Sequence, residues 1–71
     1  MRKTPDSEEL VRILRLAKKG ETKERIAEIA SLPDTQFRRH MAALVDRGLL
    51  TFDRRRKVWI TTDKGHRFLK S

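Results

Sequence analysis

Residues 20–50 read GETKERIAEIASLPDTQFRRHMAALVDRGLL, two helical patterns on either side of a proline break. Thr22 is a helix N-cap residue type. Arg25 stands where a capping box would need Glu or Gln, so no box forms. Ile26, Ala27, Ile29 and Ala30 give a helix of about eight residues, whose alanines let a neighbouring helix approach closely. Ser31-Leu32-Pro33 ends it, because the residue before a proline is pushed out of the helical region. Pro33 is placed to open a further helix with Asp34 in its first turn. Phe37, Met41, Leu44 and Val45 line the apolar face of that helix, and Gly48 stops it.

On the N-terminal side, Arg2 to Asp6 read as a frayed start, and Asp6 or Ser7 as an N-cap followed by Glu8 and Glu9. Leu10, Ile13, Leu14 and Ala17 fall on one helical face, Lys18 and Lys19 close the last turn, and Gly20 is the stop. On the C-terminal side the period changes. Leu49–Phe52 and Val58–Thr62 are short runs rich in β-branched and aromatic residues, and Asp53–Lys57 is the polar hairpin loop between them. Alternation puts Trp59 and Thr61 on one strand face and Val58 and Ile60 on the other. Thr62-Asp63-Lys64-Gly65 starts a last short helix, with Phe68 and Leu69 to bury. The expected order is helix, helix, turn, helix, strand, basic loop, strand, helix, a mainly α domain with a β-hairpin. The helix-turn-helix covers about residues 22–47, the hairpin about 49–62 and the last helix about 62–70.

The chain of 71 residues has room for one small domain. It has no cysteine, so neither disulfides nor a thiolate zinc site can staple it. Apolar runs are too short for a transmembrane span or a signal peptide, so the expected setting is cytoplasmic, without a membrane partner. There is no Asn and one Gln, while 39% of residues are charged, the direction of composition seen in hyperthermophiles. Eighteen basic against ten acidic residues give a net charge of +8, which points to a polyanionic partner. The excess is uneven. Residues 1–20 carry six basic and three acidic groups, residues 21–48 five of each, and residues 49–71 seven and two.

A short helix, a tight turn and a longer helix that ends in Gly48-Leu49-Leu50 and feeds a hairpin resembles the winged helix-turn-helix of DNA-binding proteins. Leu32 in the turn and Phe37, Met41 and Leu44 as core positions carry the resemblance. Thr62-Asp63-Lys64-Gly65 followed by Phe68-Leu69 is similar to the ending of small archaeal winged-helix regulators. Thr61 departs from the pattern, since that family often has Leu there. The resemblance implies a transcriptional regulator that binds double-stranded DNA, associated with the nucleoid.

The helix geometry agrees. With Phe37 at zero and about 100° per residue, Met41, Leu44 and Val45 fall at about 40°, 340° and 80°, while Thr35, Arg39 and Gln36 fall at about 160°, 200° and 260°. Ala42 and Ala43 continue that outward face. Polar groups near the N-terminal end followed by small residues suit a helix entering a major groove. Thr35, Gln36 and Arg39 are the candidate base readers: Arg39 can pair with guanine and Gln36 with adenine. Arg38, Arg54, Arg55, Arg56 and Lys57 are candidates for the backbone or the minor groove. A solubilising turn or a nuclear localisation signal is the plainer reading of residues 54–57. Trp59 reads as an anchor of the hairpin, and His40 and His66 as surface or boundary residues. A homodimer is expected, because one reading helix covers only a few base pairs. Val11, Leu16, Phe68 and Leu69 supply the apolar surface for it. No Gly-rich phosphate loop, metal-ligand cluster or nucleophile–base spacing points to an enzyme, a cofactor or a small-molecule effector. The competing readings are a sequence-neutral chromatin-type binder and a protein-interaction winged helix in a larger assembly.

Overall fold

The computed structural model describes residues 5–70. Helix α1 spans Pro5–Leu16. It begins earlier than an N-cap at Asp6 or Ser7 would allow. Pro5 occupies the first turn, where its fixed φ suits a helix and its missing N–H would have no partner anyway. Of the segment expected to fray, Pro5 and Asp6 are therefore helical, and residues 2–4 lie outside the described residues. Leu10, Ile13, Leu14 and Ala17 are all buried, as their spacing requires. The chain leaves α1 through Gly20, whose φ of 97° is the left-handed conformation that glycine adopts without strain.

Helix α2 spans Lys23–Ala30, and the Thr22 hydroxyl caps it by accepting the Arg25 N–H at 3.2 Å. Ile26 and Ala30 face the core, whereas Ile29 is 46% exposed. The break comes at Ser31, in the left-handed region at φ 58°, so the helix has ended before Pro33 constrains its neighbour.

Helix α3 spans Asp34–Asp46, with Phe37, His40, Met41 and Leu44 buried. Here the apolar pattern misleads. Val45 is 43% exposed and His40 takes the inner place expected for it. The buried stripe is turned toward α1, where the His40 Nε2–H donates to the Glu9 carboxylate at 2.7 Å. That acceptor satisfies a buried imidazole, which otherwise would be costly to desolvate.

The end of α3 is a Schellman turn. Gly48 at φ 75° donates to the Val45 carbonyl at 3.0 Å, and the Leu49 N–H reaches the Leu44 carbonyl at 2.9 Å. This removes Leu49 from the ladder. Strand β1 is therefore Leu50–Asp53, paired antiparallel with β2, Val58–Thr61, in the register Leu50↔Thr61 to Asp53↔Val58. Phe52 and Trp59 oppose each other with ring centroids 5.0 Å apart. Glu21 adds a bridge on the other side of β2, exchanging two backbone hydrogen bonds of 2.9 and 2.8 Å with Trp59.

Helix α4 spans Asp63–Lys70. Thr62 is its cap, since its hydroxyl accepts the Gly65 N–H at 3.0 Å and donates to the Gly48 carbonyl at 2.6 Å. Gly65 is buried against the Leu49 carbonyl, in a space that a Cβ would overfill. Leu69 packs on the core, but Phe68 is 41% exposed rather than buried. The result is a mainly helical domain with one antiparallel hairpin, the layout of a winged helix.

Thr61 explains its own departure from Leu. It is buried, and its hydroxyl donates to the Leu14 carbonyl at 2.7 Å. The Lys18 N–H, four residues on, bonds instead to the Arg15 carbonyl at 3.4 Å. Leu14 therefore has an orphan carbonyl of the α1 end, which Thr61 satisfies from another element. Thr61→Val keeps the shape and removes the donor. It should cost about 1–3 kcal/mol, read in a urea melt, while Thr61→Ser keeps the donor and should lose less. A valine variant as stable as wild type would remove Thr61 from this role.

Candidate nucleic-acid interface

Because Phe37, His40, Met41 and Leu44 hold α3 against the core, its opposite face is fixed in direction. Thr35, Gln36, Arg39 and Ala42 are exposed on α3, and Ala43 is half-buried. None of the three expected base readers makes a side-chain hydrogen bond or ion pair among the described residues. Arg38 is also exposed, 3.3 Å from the Asp34 carboxylate one turn earlier. A pair so open to water contributes only a few tenths of a kcal/mol, so it offers little resistance to a competing phosphate.

The wing is the four-residue turn 54–57 between β1 and β2. Asp53 organises it. One carboxylate oxygen accepts the Arg55 and Arg56 backbone N–H groups at 3.0 and 3.4 Å, and the other takes Arg56 Nε at 3.2 Å. Lys57 closes the turn at φ 57°, a left-handed conformation uncommon for a residue with a Cβ. All four basic residues are exposed, but they differ in what they touch. Arg56 Nη2 donates to the Lys19 carbonyl at 3.0 Å, which anchors the wing to the end of α1. Arg54, Arg55 and Lys57 have no side-chain partner among the described residues. Nothing in the run of four basic residues itself separates them. The signal that separates them is Asp53, an Asx-turn former set three residues before Arg56.

The Arg56 backbone N–H, joined by that of Arg55 and by the Arg56 guanidinium, holds the Asp53 carboxyl below its ordinary 3.8. The sign follows from linkage. A carboxyl with a lowered folded pKa supports the turn above the unfolded value, and that support is lost as pH falls through the folded one. The Arg55 and Arg56 amide resonances should therefore move with a midpoint below 3.8. A midpoint at or above that value would detach Asp53 from the turn.

Two further features were not legible in the sequence: the Glu9–His40 hydrogen bond, across 31 positions, and the Glu21–Trp59 bridge. Among the described residues, no group of His, Cys, Asp or Glu could hold a metal ion, and no helix is long and apolar enough to cross a membrane. The sequence matches no family model, and it matches no curated protein.

Proposed function

We propose that the protein binds double-stranded DNA in a sequence-specific manner and acts as a transcriptional regulator. In this reading α3 enters the major groove with Thr35, Gln36 and Arg39 at the base edges. Arg38, Arg54, Arg55 and Lys57 meet phosphates or the minor groove, and Arg56 chiefly sets the wing's position. The observation that carries it is the division of α3. One face is locked into the core, and the other presents an amide, a guanidinium and a hydroxyl without hydrogen-bond or ion-pair partners among the described residues, on the same domain as a cationic wing. The resemblance to winged-helix regulators supports the same reading.

A homodimer fits this function, because two reading helices address two half-sites. Of the apolar residues expected at its interface, Leu16 and Leu69 pack on the protein's own core, which leaves Val11 and Phe68 as contributors. Where the protein acts follows from its ligand: with the DNA, in the nucleoid.

The test is selection of bound sequences from random duplexes. A discrete enriched site is expected. Binding without enrichment would favour a sequence-neutral role, to which the concentration of charge outside residues 21–48 lends some weight. No duplex binding at low salt would sink the reading.

A further inference from the structure

Away from α3 and the wing, charge gathers in a groove of about 320 Å³ between α1 and α4, lined by Arg15, Lys18, His66, Leu69 and Lys70. We propose that this groove is a second contact for the phosphate backbone of duplex DNA. The proposal rests on the reading of the protein as a duplex binder, and adds a surface which that reading does not use.

Among the described residues, the lining carries three permanent cations and no acid. Arg15, Lys18 and Lys70 are exposed, and none of them has an ion-pair partner among the described residues. Such a concentration of like charge is self-repelling, and an anion relieves it. The form of the groove selects among anions. Small-molecule sites are enclosed and aim a few fixed polar groups at the ligand. This one is open, and its cations sit on long, solvated side chains. A protein interface would need an apolar centre. Here, among the described residues, only the half-buried Leu69 is apolar. Mobile point charges along an open channel suit an extended polyanion, whose phosphates need neutralising but not orienting.

The placement agrees. Arg56 Nη2 bonds the Lys19 carbonyl, so the wing abuts the segment that follows α1, one residue from Lys18. Arg15 is six residues beyond Glu9, the side chain through which α1 meets α3, and so about 240° further around the helix. The groove therefore lies on a side of α1 turned away from its contact with α3. It can receive the flank of the duplex already bound, or a second duplex.

The experiment compares wild type with a variant carrying Arg15→Ala, Lys18→Ala and Lys70→Ala. A short duplex of about one and a half turns and a long one of about four turns are titrated with salt. Capture of a labelled duplex by a bead-bound one is measured alongside. Affinity for the short duplex should be unchanged. If the groove takes the flank, the slope of log affinity against log salt on the long duplex should fall by about 2–3 in the variant. If it takes a second duplex, the slope should hold and bridging should be lost. Arg15→Lys, which keeps the charge, should behave as wild type. The same long-duplex slope and the same bridging in variant and wild type would overturn the proposal. Wild type that ignores the short duplex but binds the long one through the groove would sink the reading helix instead and leave the groove standing.

Discussion

Phe37→Ala should remove about 3–5 kcal/mol of stability. A domain of this length has only about 4–10 kcal/mol in total, so much of the population should be unfolded at moderate temperature. Phe37 is 2% exposed and among the largest fully enclosed side chains of the core. It lies on the inner face of α3, opposite Arg39. Truncating it loses transfer free energy and leaves a cavity that a domain without disulfides has few means to close. Circular dichroism against urea gives the measurement. Phe37→Leu keeps most of the volume, and it should retain the fold at a cost of no more than about 1.5 kcal/mol. If the alanine variant melted within about 1 kcal/mol of wild type, α3 would not depend on this anchor, and the fixed direction of its outer face would lose its basis.

Replacing Arg54, Arg55 and Lys57 with Ala should weaken duplex binding by about a hundredfold near physiological salt, and flatten the salt slope by about 2–3 units. The loss should be the same on selected and scrambled duplexes, because phosphate contacts carry no sequence information. Stability should shift by no more than about 0.5 kcal/mol, since these exposed side chains make no hydrogen bond or ion pair among the described residues. Arg56 is left intact by design. It bonds Asp53 and the Lys19 carbonyl, so its removal would mix loss of charge with loss of the wing's position. A salt titration of both proteins on one duplex decides the matter. An unchanged slope at unchanged affinity would return the basic turn to a solubilising role.

The fold was legible wherever one local rule governed a residue. Thr22 before a helix, Gly48 after one and alternation in residues 58–61 each map onto a single conformation, and the structure adopts it. Legibility failed where a distant partner decided. Val45 carries the apolar side chain, yet His40 is buried, because Glu9 on another helix supplies the acceptor that makes a buried imidazole affordable. Thr61 reads as a flaw in an apolar position until the orphan carbonyl of Leu14 comes within 2.7 Å of it. Leu49 has strand propensity, but the Schellman turn claims its N–H first. The candidate site divides in the same way. The outer face of α3 follows from helical period alone, so Thr35, Gln36 and Arg39 emerge where the angles put them. The separate task of Arg56 depends on a carbonyl 37 residues away, which no spacing could reveal.

Whether α3 reads bases is decided by discrimination between duplexes. Affinities of wild type, Gln36→Ala and Arg39→Ala are measured for the selected site and for a scrambled duplex of the same length and composition. Each substitution should cost about 1–3 kcal/mol on the selected site, roughly 5- to 150-fold, and little on the scrambled one. Equal losses on the two duplexes, or no loss on either, would contradict the assignment of α3 as the reading helix.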